Sequence, residues 1–279
     1  MTVLVVGEAL VDVVTRPDGT VAEVPGGSPA NVAVALARLG DEVELLTALG
    51  SDPFGDLVRR HVEGSGAKVL AAPLARTAVA HATLDASGAA TYVFDIAWQL
   101  DEPPEHSTPE WLHVGSIGTV LQPGAGQVAA LVSSYQGVCP ISFDPNCRPL
   151  LTPEPDLAAV EALVAQCDVV KLSDEDARWL LPGLTLEEVL RRWRELGPRL
   201  VVVTRGAAGA LALTDELVEV PVPDGDPVID TVGAGDTFMA GLIATRGTSL
   251  QLAAAAARIT VSRVGADPPS SQELRPSRP

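Results

Sequence analysis

The densest cluster of reactive residue types is Asp230-Thr-Val-Gly-Ala-Gly-Asp-Thr-Phe-Met-Ala-Gly241. Gly233 and Gly235 supply an unhindered backbone directly before a predicted helix. A helix start presents unbonded N–H groups and the positive end of a dipole, so it can hold an anion such as a phosphate. Asp236 falls in the first helical turn, beside any such anion. A carboxylate there can take a proton from an attacking hydroxyl. The chemistry this would suit is phosphoryl transfer, which needs alignment and charge neutralisation more than it needs a strong base. The same residues also read as a glycine turn whose aspartate favours the helix start, and spacing alone does not choose between the two.

A second cluster, Pro25-Gly26-Gly27-Ser28-Pro29-Ala30-Asn31, precedes a helix that closes at Gly40. Two glycines let the backbone pass close to a ligand, and the Asn31 amide both donates and accepts, which suits polyol hydroxyls. Ser28 reads as the N-cap and Pro29 as the first helical residue. A loop with a helix cap would explain the segment as well. Two common nucleotide fingerprints are missing. No G-x-x-x-x-G-K-[ST] occurs, and Gly7 after the first strand is followed by Glu8, Ala9 and Leu10 rather than G-x-G-x-x-G, which disfavours a dinucleotide-dependent oxidoreductase.

The Gly26–Gly40 and Asp230–Gly241 segments resemble the first and second signatures of the ribokinase-like (PfkB) carbohydrate kinases, in the order that family uses. The resemblance runs from Val3 to about Pro269. It implies a Rossmann-like α/β sandwich with a small β-hairpin lid, and a kinase that uses ATP with Mg²⁺. By that resemblance Asp236 is the catalytic base, and Gly233, Ala234 and Gly235 are the anion hole. Asp12, in Gly7-Glu-Ala-Leu-Val-Asp12, joins Gly27 and Asn31 as the sugar site. Asp144-Pro-Asn146-Cys-Arg148 is similar to the family's D-x-N-x-R segment, with Arg148 a phosphate or substrate contact. Lys171-Leu-Ser173-Asp174-Glu175-Asp176 is similar to its N-x-x-E segment. Here Ser173 stands for the asparagine, as in fructokinase-like members, and Asp176 for the glutamate. Asp176, with Asp174 as the alternative, is the candidate for organising Mg²⁺. Thr204, Gly206, Gly209 and, after the last helix, Gly265 resemble the nucleotide-site segments, joined by Lys171 and Ser173. A monovalent cation such as K⁺ and a homodimer through the lid strands are further implications. The substrate expectation is fructose or a related ketose. The alternatives are ribose, 2-keto-3-deoxygluconate or a nucleoside, and, outside catalysis, a sugar-binding protein with a decayed site.

Around these groups the chain alternates strands and helices, and Val3–Val6 reads as a buried strand. Val11–Thr15 and Thr20–Val24 flank the turn Pro17-Asp18-Gly19 and read as a hairpin. Val79–Leu84 and Thr91–Phe94 around Ala86-Ser87-Gly88 read as a second. Lid strands are thus expected at about 11–25 and 78–98, pairing as a small antiparallel subdomain, with Phe94 and Trp98 shaping the pocket, packing in a core or forming a dimer contact through the lid strands. After residue 110 strands and helices alternate regularly: Trp111–Val114, Ile141–Asp144, Asp168–Leu172 and Leu200–Thr204 with helices between them. Such alternation implies right-handed crossovers and a parallel sheet covered by helices on both faces. One domain over residues 1–269 with a flexible tail over 270–279 is expected, and the whole stretch from Pro268 through Pro279 has little to bury and reads as mobile.

Composition bounds the rest. With 279 residues, 47% of them hydrophobic, the chain can fill one large core. A net charge of −17 repels nucleic-acid phosphates and anionic lipid, so no nucleic-acid or membrane partner is expected. Cys139, Cys147 and Cys167 form no C-x-x-C pair, and the four histidines show no ligand spacing. The first residues carry no basic, apolar leader, and the cytoplasm is the expected location.

Overall fold

In the computed structural model, which describes residues 1–85, 90–101 and 103–274, the chain begins with β1 (Thr2–Val6), the strand about which both halves of the main sheet are organised. It leaves the body for the hairpin β2 (Leu10–Thr15) and β3 (Val21–Gly26), then returns through α1 (Ser28–Leu39), β4 (Glu42–Gly50), α2 (Pro53–Gly64) and β5 (Lys68–Leu74). A second excursion gives β6 (Ala78–Leu84) and β7 (Ala90–Asp95). The turn expected at Ala86–Gly88 lies outside the described residues. The body resumes with β8 (Trp111–Gly115), α3 (Gly124–Tyr135), β9 (Ile141–Asp144), α4 (Leu157–Val164), β10 (Val169–Ser173), α5 (Asp174–Leu180), α6 (Leu186–Glu195) and β11 (Leu200–Thr204). It ends with β12 (Ala210–Leu213), β13 (Leu217–Val220), α7 (Ala234–Ala244) and α8 (Leu250–Thr260).

The main sheet runs β13-β12-β11-β10-β9-β8-β1-β4-β5, parallel except at the β12 and β13 edge. Its two faces follow from the period-two alternation of strand side chains. Val3 and Val5 point to the layer that holds α1, α7 and α8, whereas Leu4 and Val6 point to the layer with Trp98, Val128, Leu163 and Trp193. Each fully buried aliphatic side chain contributes roughly 1.5–3 kcal/mol, so a near-continuous apolar strand such as Val3–Val6 is stable only when covered on both sides. The strand β5 was not foreseen, because Pro73 interrupts its apolar run. It is tolerated because β5 is the sheet edge.

The two hairpins join into one four-stranded sheet, β3-β2-β6-β7, through a parallel β2–β6 pairing. Phe94 belongs to this small sheet and packs with Leu10, Ala78 and Ala80. Trp98 does not shape a pocket in the lid: it is buried in the body's core, and its indole N–H donates to the Gly118 carbonyl at 2.9 Å. The expected tail is also held down at its start. Pro268 and Pro269 are buried, and the Ser271 N–H donates to the Arg38 carbonyl at 3.0 Å. Residues 275–279 lie outside the described residues. Among the described residues, no helix is long and apolar enough to cross a membrane.

Candidate active site

The strand order creates the site. The chain moves outward from β1 to β4 and β5, then restarts on the other side of β1 with β8. Crossovers therefore leave β1 in opposite directions, which opens a crevice at the carboxyl ends of β1 and β8, where ligands bind in open α/β sheets. Glu8 to Asp12 follow β1, Asp144 is the last residue of β9 with Pro145 to Arg148 after it, and Ser173 ends β10 two residues after Lys171, so these segments share that rim.

Asp236 sits in the first turn of α7 and is only 8% exposed. The preceding Gly233 is left-handed, with φ 75°, and a side chain there would meet Ala266 Cβ at 2.6 Å. No side chain caps α7, and the Gly235 and Asp236 N–H groups have no acceptor among the described residues. The carboxylate accepts two bonds from α1: Ser28 Oγ–H donates to Oδ1 at 2.7 Å and Asn31 Nδ2–H to Oδ2 at 2.8 Å. Ser28 is thus not the N-cap. Gly27 holds that position with φ 100°, and the Ser28 hydroxyl turns across to Asp236. Gly27 has a packing reason of its own, since a Cβ would lie 2.7 Å from the Glu8 carbonyl oxygen. The starts of α1 and α7 therefore converge, and two sets of helix-start dipoles point at one place.

Behind this corner lies a buried ion pair. Lys171 Nζ stands 2.6 Å from Asp144 Oδ2, and Nζ–H donates to the Gly235 carbonyl at 3.2 Å. A side chain on Gly235 would approach Nζ to 2.9 Å, so the glycine admits the ammonium. Burial works against the Lys171 charge, but Asp144, with Asp236 and Asp176 beyond it, outweighs burial and holds the ammonium charged. Burial pushes the Asp144 carboxyl up, against the pull of Lys171. Asp144 Oδ1 is buried with no hydrogen-bond partner among the described residues. Sequence reasoning quoted Asp144 only as the head of a motif; its strand-end position beside β10 was the signal that could have paired it with Lys171.

The remaining predicted residues are placed less uniformly. Asp12 lies on β2 at the root of the small sheet, where burial raises its pKa and the Arg148 charge lowers it in part. Gly26 leaves room for it, since a Cβ there would sit 2.5 Å from Asp12 Oδ2. Arg148 is exposed and folds onto its own loop, donating to the carbonyls of Asn146 and Cys147 and to Asn146 Oδ1 at 2.8–3.1 Å. Asp176 forms a capping box with Ser173, and its other oxygen accepts the Cys147 N–H at 2.7 Å. Asp174 pairs with Arg178 at 2.8 Å. Among the described residues no group of three or more His, Cys, Asp or Glu could hold a metal ion.

Thr204 ends β11, and its hydroxyl donates to the Leu172 carbonyl at 3.4 Å. Gly206 opens the tight turn to β12, with φ 53° and open space around it. Gly209 closes that turn, and a side chain there would strike the Val220 carbonyl oxygen at 2.1 Å. The Gly265 N–H donates to Asp230 Oδ2 at 2.9 Å, while Asp230 Oδ1 accepts the Val232 N–H at 3.0 Å. Asp230 thereby ties the end of the chain's last helical layer to the loop before Gly233. The Val261 carbonyl accepts from Ile229 and Asp230, and beside this junction Val228, Ile229, Val232 and Val264 are exposed apolar residues. A groove of about 410 Å³ runs along Pro223–Asp226, Ala255, Arg258 and Ile259 of α8, and Ser262 and Arg263 just after it. Sequence reasoning missed this apolar border, along with Ser28 and Asp230 as partners.

Comparison with known proteins agrees with this geometry. The chain matches the model of the pfkB family carbohydrate kinases over residues 2–273. It is 34% identical over 261 residues to a fructokinase of Salmonella typhimurium, covering 87% of this chain and 83% of that protein. The crystal structure of fructokinase with bound ATP from Xylella fastidiosa superposes with a TM-score of 0.87 at 27% identity, covering 98% of this chain and 96% of that one. A fructokinase double mutant from Vibrio cholerae, in a fructose-, ADP- and potassium-bound form, gives 0.83 at 30% identity, covering 95% and 93%. The chain belongs to the PfkB family of carbohydrate kinases, and its activity is that of a sugar kinase with the ribokinase-type fold.

Proposed function

We propose that the chain transfers the γ-phosphoryl group of ATP to a hydroxyl of fructose or a closely related ketose. The observation that carries the reading is Asp236: a buried carboxylate beside uncapped amides, held by Ser28 and Asn31 from the facing helix start. The sugar lies between the β1/β8 rim and the small sheet, with Asp12, Gly27 and Asn31 toward its hydroxyls. Asp236 accepts the proton of the attacking hydroxyl. The Gly235 amide, free among the described residues, with that of Asp236 and the Gly233 backbone beside it, receives the charge that develops on the transferred group, and because it is fixed in place it needs no rearrangement; the Ala234 N–H is already held by the Thr231 carbonyl at 3.3 Å. Lys171 sits against Gly235 and adds a fixed positive charge on the phosphate side. The nucleotide lies along Thr204, Gly206 and Gly209 with its base toward the apolar border at Val228, Val232 and Val264, near Gly265. Closure of the small sheet over the sugar would exclude water and limit ATP hydrolysis. The named relatives are fructokinases, which supports a ketose over a nucleoside.

Mg²⁺ belongs to the same proposal, and when bound it would neutralise charge on the phosphates. Both oxygens of Asp176 already accept hydrogen bonds and Asp174 is paired, so the carboxylate with spare acceptor capacity is Asp144. It would act with Asp176 through water. K⁺ is proposed as an activator because the Vibrio relative is described with it. Homodimerisation through the small sheet is supported by exposed Val21, Val24, Tyr92 and Val93 on its two edge strands. The cytoplasm, where ATP is supplied, is the proposed location. The test is an ADP-release screen over fructose, ribose, 2-keto-3-deoxygluconate, tagatose phosphate and nucleosides, each with and without Mg²⁺ and K⁺. Fructose or another ketose should give the highest kcat/KM. A nucleoside winning by tenfold or more, on the scale that 1.4 kcal/mol sets, would overturn the ketose assignment.

A further inference from the structure

We infer that Glu8 is a positioning residue for the sugar site, locking the turn after β8 and the root of the small sheet into one piece. The inference rests on the sugar-kinase reading. Glu8 follows β1 and is only 2% exposed. Its Oε2 accepts the Gly118 N–H at 2.9 Å, so it spans the crevice between the carboxyl ends of β1 and β8. The carbonyl of the same Gly118 accepts the Trp98 indole N–H at 2.9 Å. Glu8 stands just before β2, where the chain enters the small sheet, and Trp98 just after β7, where it leaves. One residue is thus gripped by the entry and the exit of the lid.

The clamp has little slack. A Cβ on Gly118 would lie 3.0 Å from Gly7 Cα, and one on Gly124 would lie 2.3 Å from the Trp98 ring. Ser116, on the same turn as Gly118, is a non-glycine residue with φ 57°, a conformation that persists only when its surroundings enforce it. The backbone of Glu8 presses on Gly27, whose Cβ would lie 2.7 Å from the Glu8 carbonyl oxygen. Gly27 starts the helix from which Ser28 and Asn31 reach Asp236. Movement of Glu8 therefore displaces the sugar-site floor, the lid root and the partners of Asp236 together. Burial lifts the Glu8 pKa to about 7, and Arg148 on the loop after β9 is the charged group that opposes this. An apolar residue would fill the space without that penalty, so the carboxylate is there for what it binds.

The test compares the unaltered chain with Glu8→Ala, Glu8→Gln, Trp98→Phe and Glu8→Ala/Trp98→Phe. It reads KM for sugar, KM for ATP, kcat, and ATP hydrolysis without sugar, between pH 5.5 and 8.5. Glu8→Ala should raise the sugar KM roughly tenfold or more, leave the ATP KM within about twofold, and raise sugar-independent hydrolysis. Trp98→Phe should act in the same direction, and the double variant should fall short of the product of the two. Glu8→Gln, which keeps the acceptor oxygen and the shape, should restore most of the sugar KM and abolish its pH dependence near 7. A folded Glu8→Ala with an unchanged sugar KM, or with equal rises in both KM values, overturns the inference. If Glu8→Ala does not fold, an unchanged pH profile in Glu8→Gln overturns it. Absence of sugar-dependent ADP release by the unaltered chain would instead sink the kinase reading, whereas normal turnover with an unresponsive residue 8 sinks only this inference.

Discussion

Replacing Asp236 by asparagine removes a base while keeping a shape. The carboxylate accepts from Ser28 Oγ–H at 2.7 Å and from Asn31 Nδ2–H at 2.8 Å. An amide at residue 236 keeps its carbonyl oxygen toward Asn31 and turns its NH₂ toward Ser28. That hydroxyl can rotate from donor to acceptor. Two bonds then survive in weakened, uncharged form, at a cost of about 1 kcal/mol each at most. For a chain of this size the melting temperature should fall by at most about 4–8 °C, on the scale of about 2–4 °C per kcal/mol. Loss of the base should cost about 10²- to 10⁴-fold in kcat. The assay is ADP release with the preferred sugar, alongside calorimetric titration of sugar into the same variant. Sugar affinity within about threefold of normal, or roughly 0.7 kcal/mol, together with collapsed kcat is the expected pattern. A kcat within tenfold of the unaltered enzyme would refute the assignment of Asp236 as base and leave it as a brace between α1 and α7.

Lys171→Met leaves the Asp144 carboxylate buried without its ion partner, and should cost about 3–5 kcal/mol in denaturant unfolding; adding Asp144→Asn should recover part of that loss. Gly209→Ala places a Cβ 2.1 Å from the Val220 carbonyl at φ 79°, and should destabilise the chain by at least about 1 kcal/mol and raise the ATP KM more than the sugar KM. Glu8 titrates near 7 when folded and near 4.5 when unfolded, so the folded chain holds the extra proton between those values. Its contribution is full below 4.5 and is lost as pH rises through about 7, a total of about 3 kcal/mol. Glu8→Gln should flatten the stability profile across that window, and unfolding midpoints at pH 4.5, 6 and 8 check it.

The pattern of what the sequence disclosed has a physical basis. Turn chemistry is local, so Pro17-Asp18-Gly19 and the glycines before Asp236 were readable as they stand. Strand alternation reports how many faces are covered, so the parallel sheet and the separate hairpins were also legible. Partner choice is not local. The parallel sense of the β2–β6 joint, where an antiparallel subdomain was the expectation, and the long reach of Ser28 and Asn31 to Asp236 depend on which elements the crossovers bring together. Ser28 illustrates the limit: Ser-Pro before an apolar helix fits a cap, yet Gly27, with a positive φ of 100°, takes the cap and releases the hydroxyl for a long-range bond. The core position of Trp98 was one of the readings open in the sequence, but its link to Glu8 was not legible, because their common partner, the Gly118 peptide, has no side chain to betray it. The charge balance follows the same logic. The chain carries −17, and the corner itself sets Asp144, Asp176 and Asp236 against Lys171, so side-chain charge alone would repel a triphosphate. What favours it is backbone: two converging helix starts with uncapped amides, a feature carried by glycines rather than by lysines or arginines. Net charge describes what an extended polyanion meets, since its phosphates face the whole surface, and is silent about a small anion that meets only one corner of it.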